Sequence, residues 1–243
     1  MRVDTAPRGI VVDAPFRITA ALAEWMKATL NVAGFVRSMP HAGGWAPDWL
    51  DVLTAEELGE LTDAGFGVTG YQIFRASRQI TAEHGRAAGE SLAEHARAIG
   101  LPDGCTLWCD CESFRAEADV LGYIDGWRQR VAYVTDSRGV YCGSGFLLPD
   151  MTARNDAREQ GDRLWALRGI TRYWLALGQV YTPSVRGCCL DQIWEYVLLG
   201  TDASDWRLEP YRSKNLSHNG ARRLDINGCR IDSLGGRMHW AVR

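Results

Sequence analysis

The sequence has no long apolar run, little net charge and no cluster of basic residues. No stretch reaches the ~18 apolar residues that a transmembrane helix needs, and the N-terminal MRVDTAPRGIVVDAP lacks an apolar segment of signal-peptide length. The net charge is -3, which gives nucleic acids and anionic membranes no electrostatic attraction. We therefore expect a protein made in the cytoplasm without a signal peptide, with neither nucleic acid nor a membrane as a partner.

Motifs for metals, cofactors and a serine nucleophile are also missing. The five histidines show no H-E-x-x-H or other tight ligand spacing, and no G-x-G-x-x-G follows the first predicted strand. The segment CGSGF at 142–146 differs from the G-x-S-x-G motif of serine hydrolases. We therefore expect chemistry that uses no metal and no cofactor.

The cysteines do not form a recognisable framework. Seven is an odd number, and a chain of 243 residues can bury a core without disulfides. The spacing C-x3-C-x-C at 105–111 matches no common zinc pattern. We interpret the cysteines as reduced packing residues: Cys105, Cys109, Cys111, Cys142, Cys188, Cys189 and Cys229.

Strand and helix patterns alternate along the chain, which predicts a parallel sheet with crossover helices. About eight strand signals predict an α/β fold, a (β/α)8 TIM-like barrel or an irregular version of one. We expect a single domain over residues 1–243, with a long irregular loop at about 200–222; the alternative is an open doubly wound sheet. The predicted strands are 9–15, 31–39, 66–74, 105–113, 139–143, 162–169, 188–197 and 222–228, and the predicted helices are 17–30, 53–65, 81–100, 117–134 and 150–161.

The segment LWCDCES at 107–113 combines two cysteines with two acids. Side chains alternate between the two faces of a strand, so Cys109 and Cys111 share one face while Asp110 and Glu112 share the other. The small cysteines suit packing against helices. The acids are then expected inside the barrel near the carboxyl end of the strand, where barrel enzymes place catalytic groups. The alternative is that both acids lie in a solvated loop.

Acids at two other strands make a functional interpretation stronger. Asp13 ends the first predicted strand and Asp225 lies in the last one. Because the first and last strands of a closed barrel are neighbours, we expect these two carboxylates to meet Asp110 and Glu112 at one rim. Crowding of like charges raises the pKa of at least one carboxyl group. A protonated carboxyl beside an ionised one is what the cleavage of a glycosidic bond requires.

Aromatic residues near strand ends point to a sugar as the ligand. The chain has 10 tryptophans, and we expect at least half of them in the core. Those near strand ends suit sugar rings, which have apolar C–H faces and polar edges. The substrate-binding candidates, with the polar neighbours Gln72 and Asn227 included, are Tyr71, Gln72, Trp194, Tyr196, Asn227 and Trp45.

Four short motifs occur in a characteristic order: G-I-x-x-D at 9–13, D-x-E at 110–112, W-x-Y at 194–196 and D-x-N at 225–227. In this order they resemble the family 25 glycoside hydrolases, which are lysozyme-like muramidases with a modified (β/α)8 barrel. The chain also resembles the related glycoside hydrolase-like domains of unknown function in bacteria and phages. The similarity extends over residues 9–232.

The resemblance assigns roles to the acids. It implies that Glu112 is the general acid and that Asp110 stabilises the transition state or orients an N-acetyl group of the substrate. Asp13 and Asp225 would tune pKa values and hold the sugar. Two positions depart from the family: its first acid lies earlier in the first strand than Asp13, and Glu195 stands where the family more often has Gln.

The resemblance implies a retaining-type glycosidase that cleaves MurNAc–GlcNAc links of peptidoglycan, in the setting of a phage lysin or a delivered effector acting on the cell wall or periplasm. We expect a monomer. The alternative is a catalytically silent barrel that binds glycan or serves as a structural module. A third interpretation is a chitinase-like enzyme, but that group usually has a longer D-x-x-D-x-D-x-E run, and here Trp108 stands two residues before Asp110.

Overall fold

A computed structural model of the chain describes residues 1–42, 49–73, 81–111, 120–142, 172–175, 188–211, 221–229 and 238–243. Within these ranges the chain forms eleven strands of one sheet and four helices. The strands are β1 (Arg2–Thr5), β2 (Gly9–Ala14), β3 (Val32–Met39), β4 (Gly67–Gln72), β5 (Leu107–Asp110), β6 (Arg138–Cys142), β7 (Arg172–Leu175), β8 (Cys188–Leu199), β9 (Arg207–Pro210), β10 (Arg222–Cys229) and β11 (His239–Val242). The helices are α1 (Ala20–Leu30), α2 (Ala55–Asp63), α3 (Ala82–Ala98) and α4 (Val120–Val131).

The sheet is mixed, with strand order β1-β11-β4-β3-β2-β10-β8-β7-β6-β5. The pairings from β2 through β8 are parallel, and β5 pairs with β4 as well as with β6. Strand β10 is antiparallel to both of its neighbours, β2 and β8. The edge pairings β1–β11, β11–β4 and β8–β9 are also antiparallel.

The predicted (β/α)8 barrel is wrong. An (β/α)8 barrel has eight parallel strands, each followed by a helix, whereas this sheet is mixed and the described residues contain four helices. The physical reason lies after β8. The chain turns back through the antiparallel strand β9 and then β10, and antiparallel neighbours need no crossover helix.

Local signals in the sequence located most elements correctly. Each of the first three helices begins at a threonine whose hydroxyl accepts a backbone N–H of the first turn: Thr19, Thr54 and Thr81. The short strands β1, β7, β9 and β11 were missed, and β9 lies inside the predicted loop at 200–222. The predicted helix at 150–161 and the predicted strand at 162–169 lie outside the described residues.

The two faces of the sheet have different compositions. On the helix face, apolar side chains, including cysteines, pack against the helices: Val12, Phe35, Val68, Cys109 and Cys111 are examples. On the other face, which we call the aromatic face, Val11, Tyr71, Trp108, Tyr141 and Trp174 form a second cluster. The prediction that the cysteines of LWCDCES pack on the helix face is confirmed, and the Sγ atoms of Cys109 and Cys111 are 3.7 Å apart. Among the described helices, none is long and apolar enough to cross a membrane.

Candidate functional site

Three carboxylates from three strands meet on the aromatic face, and we call them the carboxylate cluster: Asp13, Asp110 and Asp225. Asp13 is the penultimate residue of β2 and Asp110 the last residue of β5, and both are only 7% exposed. Asp225 lies directly opposite Asp13 across the antiparallel β2–β10 pair. Side chains opposite one another on one face have Cβ atoms about 4.5–5.5 Å apart. We predicted that Asp13 and Asp225 would meet on neighbouring parallel strands of a barrel. They do meet, but across an antiparallel pair of strands.

The environment of Asp13 shifts the pKa of its carboxyl group. Burial raises the pKa of its carboxyl group well above the usual value, and the negative charges of Asp225 and then Asp110 raise it further. A hydrogen bond from Asn227 Nδ2 to Asp13 Oδ1, 2.8 Å long, acts in the opposite direction without reversing the shift. The protonated form of Asp13 is therefore favoured over a wider pH range than that of an ordinary aspartate.

Trp174 on β7 determines how Asn227 is oriented. An indole N–H can only donate a hydrogen bond, and Trp174 Nε1 donates to Asn227 Oδ1 at 2.7 Å. The amide oxygen is thereby occupied, which leaves the Nδ2 group to donate to Asp13. A chain of two hydrogen bonds thus connects the aromatic cluster to the carboxylate cluster.

Aromatic rings surround Trp174. Its ring centroid lies 4.5 Å from that of Tyr141, 5.7 Å from that of Trp108 and 6.0 Å from that of Tyr71. Strand β4 carries Tyr71 and is not a neighbour of β7 in the sheet order, so the sheet curves enough to bring these side chains together. Burial, and then the charge of Asp13, raise the pKa of the Tyr71 hydroxyl well above its usual value.

Sequence reasoning missed three residues of this face. Trp174 lies just beyond the segment in which a strand was predicted, although RYWL has the aromatic, β-favouring composition of a strand. Tyr141 donates its hydroxyl to Gln192 Oε1 at 2.6 Å. No short-range pattern links Tyr141 to Gln192, because the two residues meet only through the pairing of β6 with β7 and of β7 with β8.

An arginine on β10 contacts the edge of the carboxylate cluster. Arg223 forms an ion pair with Glu195 on β8, and its Nε lies 3.9 Å from Asp225 Oδ1. Its guanidinium group also lies over the ring of Tyr211, 4.9 Å from the centroid. Glu195, which departs from the pattern of the family that the sequence resembles, is thus the partner of Arg223.

The structure does not bring Gln72 and Tyr196 to the aromatic face. Gln72 donates to the carbonyls of Pro40 and Ala88 and accepts from Trp127, so its amide group is used within the helix side of the fold. Tyr196 packs against the helix-face core. Alternation along a strand is the reason: the neighbours Tyr71 and Gln72 must point to opposite faces.

Three further candidates are only partly placed, or not placed at all. Glu112 and Trp45 lie outside the described residues, and for Trp194 the structure describes the backbone in β8 but not the side chain. In the part of the chain that is described, no group of three or more His, Cys, Asp or Glu side chains is arranged to hold a metal ion. Four of the described cysteines are buried and form no disulfide: Cys105, Cys109, Cys111 and Cys229.

Comparison with known proteins identifies one family and several similar structures. A family model described as "Rv2525c-like, glycoside hydrolase-like domain" matches residues 30–227. An uncharacterized B. stearothermophilus protein superposes with a TM-score of 0.61 at 17% identity, over 91% of this chain and 96% of its own. No curated protein matches the chain.

Two structures with named proteins also share the fold. The Tat-secreted protein Rv2525c of Mycobacterium tuberculosis, solved with HEPES, gives a TM-score of 0.61 at 14% identity over 96% of this chain and 99% of that one. The modular autolysin LytC of Streptococcus pneumoniae, solved with a synthetic peptidoglycan ligand, gives 0.55 at 10% identity over 90% of this chain and 46% of that one.

Proposed function

The chain belongs to the Rv2525c-like, glycoside hydrolase-like domain family, and we propose that it cleaves a glycan of the bacterial cell wall, peptidoglycan or a related polymer. The resemblance to glycoside hydrolase-like domains inferred from the sequence is thereby confirmed. Cleavage would use carboxylates as acid and base. The specific bond we propose is the MurNAc–GlcNAc link.

One observation carries the proposal: a carboxyl group that favours its proton lies beside two further carboxylates. Burial and the charges of Asp225 and Asp110 raise the pKa of Asp13. Glycosidases need one protonated and one ionised carboxyl group on either side of the scissile bond. A solvated patch of surface acids would not bury two of three neighbouring carboxylates to 7% exposure, as Asp13 and Asp110 are buried here.

The roles that we propose follow the D-x-E motif. Glu112 donates a proton to the glycosidic oxygen, and Asp110 stabilises the positive charge that develops on the sugar ring. Asp13 and Asp225 hold the sugar, and the negative charge of Asp225 favours the oxocarbenium-like transition state. Asp110 occupies the end of β5, and Glu112 follows it by two residues.

A glycan substrate is supported by aromatic side chains and by a structural relative. Trp49, in the segment that follows β3, is 44% exposed, and exposed aromatic faces stack on the apolar faces of sugars. The autolysin LytC, which shares the fold, was solved with a synthetic peptidoglycan ligand. Rv2525c, another relative in fold, is a Tat-secreted protein. We therefore propose that this chain acts at the cell wall or in the periplasm, as a phage lysin or a delivered effector.

The test is digestion of purified peptidoglycan sacculi, with soluble products identified by mass spectrometry. We expect disaccharide-peptides with reducing MurNAc ends from the wild-type protein. Loss of a general acid typically lowers the rate by about 10²–10⁴-fold, and we expect such a loss for Glu112→Gln. Glu24→Gln is the matched control, because Glu24 is an exposed acid on α1.

Each alternative outcome has a distinct meaning. Equal release by the wild type and Glu112→Gln would remove Glu112 from the mechanism. No release, with the protein sedimenting alongside the sacculi, would favour the silent glycan-binding domain. If the protein neither releases soluble products nor sediments with the sacculi, the proposed substrate is wrong.

A further inference from the structure

Three acidic side chains lie in one row across adjacent strands. Asp13 on β2 is opposite Asp225 on β10, and Asp225 is opposite Glu195 on β8. Residues paired in this way share a face of the sheet, and like charges directly opposite one another are destabilising. A row of three acids therefore needs a counter-ion or a proton.

Arg223 supplies the positive charge, and it does so at one end of the row. Residues 223 and 225 lie two apart on β10 and so share a face. The guanidinium group binds Glu195 through Nη2 and places its Nε 3.9 Å from Asp225 Oδ1. Stacking over Tyr211 and the ion pair with Glu195 hold the group in this orientation.

Among the described residues no cation pairs with Asp13 in this way, and Asp13 instead accepts a hydrogen bond from the neutral amide of Asn227. We propose that Arg223 is a positioning residue that holds the negative charge of the Asp13–Asp225 pair on Asp225 and leaves the proton on Asp13. The catalytic meaning of this arrangement rests on the proposed function, whereas the location of the proton does not.

The remaining charged groups around the pair are consistent with this assignment. Asp110 on β5 adds a second negative charge close to Asp13, and Arg223 acts on Asp13 more weakly than either acid. Tyr71 on β4 faces the same acids and remains neutral, because its pKa is raised. The buried cation Arg37 on β3 is paired with Glu57 on the helix side. Arg223 is therefore the cation on the Asp225 side of the pair among the described residues.

The sequence contains a matched control for Arg223. Arg222 precedes it on the same strand, and its guanidinium group lies over the ring of Phe16, 4.7 Å from the centroid, in the helix-face core. Substitution of Arg222 removes the same charge from the chain but from the other face of the sheet. A difference between the two variants therefore reports position and not net charge.

The experiment is an NMR titration of the side-chain carboxyl carbons of Asp13 and Asp225, assigned with Asp13→Asn and Asp225→Asn. In the wild-type protein we expect Asp225 to ionise at lower pH than Asp13. In Arg223→Gln we expect the Asp225 midpoint to move up by about 1 pH unit, the lower end of the range for an opposite charge within reach, because the Arg223 side chain is 43% exposed. Arg223→Lys should restore most of the difference, and Arg222→Gln should change neither midpoint.

Two results would overturn the proposal. One is ionisation of Asp13 before Asp225 in the wild-type protein, which decides the matter even if Arg223→Gln does not fold. The other is an unchanged Asp225 midpoint in a folded Arg223→Gln variant. Neither result depends on glycan cleavage. The titration therefore tests the role of Arg223, and the sacculus digestion separately tests the proposed function.

Discussion

Single residues on this sheet are assigned to one face or the other by their position in the strand. Tyr71 points to the aromatic face while its neighbour Gln72 points to the helices, and Trp108 and Cys109 divide in the same way. Alternation of side chains is sufficient to predict this division. Whether a candidate substrate-binding side chain can reach the site is therefore decided by its own position in the strand.

Trp174 provides a test of the hydrogen bond that orients Asn227. Trp174→Phe keeps a buried ring but leaves Asn227 Oδ1 without its donor, and an unsatisfied buried polar group costs about 1–3 kcal/mol. Trp108→Phe is the matched control. Trp108 lies in the same buried cluster, and among the described residues its Nε1 has no hydrogen-bond partner.

We expect urea denaturation to show a larger loss in the free energy of unfolding for Trp174→Phe than for Trp108→Phe. The difference between the two should be about 1–3 kcal/mol, the contribution of the hydrogen bond. Equal losses would mean that ring volume alone accounts for the effect and that the Trp174–Asn227 bond contributes nothing measurable.

Helices attach to the sheet and to each other through a few specific contacts. Arg37 on β3 and Glu57 on α2 form a buried ion pair in which Nε and Oε1 are 2.6 Å apart, and Glu57 also accepts the backbone N–H of Ile18. The T-x-x-E spacing of Thr54 and Glu57 suits a capping box, but only half of one forms: Thr54 caps the Glu57 N–H, whereas the Glu57 carboxylate is directed at Arg37.

Helices α3 and α4 approach so closely that glycines form their contact. A Cβ atom at Gly126 would overlap the carbonyl oxygen of Ala82, and one at Gly85 would overlap that of Tyr123. In Gly126→Ala the helices must separate, and overpacking of this kind typically costs about 1–3 kcal/mol. Gly59→Ala on α2 is the control, since a Cβ there meets no atom within 4 Å.

Thermal denaturation followed by circular dichroism distinguishes the two glycine variants. We expect a lower melting temperature for Gly126→Ala and an equal or higher one for Gly59→Ala, because alanine favours the helix by about 0.5–1 kcal/mol over glycine. A stable Gly126→Ala protein would show that the α3–α4 contact can relax at little cost.

For the whole molecule, the carboxylate cluster makes stability depend on pH. The pKa of Asp13 is raised in the folded chain, so the folded state binds this proton more tightly than the unfolded state does. The resulting stabilisation is complete below the usual pKa of an aspartate and is lost as the pH rises through the folded pKa.

Asp13→Asn removes this dependence while keeping an oxygen that accepts the Asn227 amide. We expect the stability of the variant relative to wild type to increase from pH 5 to pH 8, because only the wild type must bury an ionised Asp13. Urea denaturation at both pH values measures this, with Glu24→Gln as the control for a surface charge. A difference that stays constant between the two pH values would contradict a raised pKa at Asp13.

Much of the architecture was predictable because it depends on local patterns. Period-2 and period-3.6 patterns located β2 to β6, β8, β10 and the four described helices. The short strands β1, β7, β9 and β11 escaped because four residues carry little periodic signal, whereas the equally short β5 lies within the longer strand-like segment CTLWCDCES at 105–113. The direction of β10 also escaped, since an apolar pattern is the same whichever way a strand runs, and this produced the incorrect (β/α)8 prediction.

The sequence by itself determined that Asp110 and Cys109 lie on opposite faces and that Thr54 caps a helix. These follow from strand alternation and capping chemistry, whereas the adjacency of Asp13 and Asp225 was expected from a closed parallel barrel that the structure does not have. Only the tertiary structure decided that Trp174 orients Asn227, that Glu195 and Asp225 share Arg223, and that Gln72 serves the helix packing. Those contacts join residues far apart in the chain, so they depend on strand register and sheet curvature, which no local pattern contains.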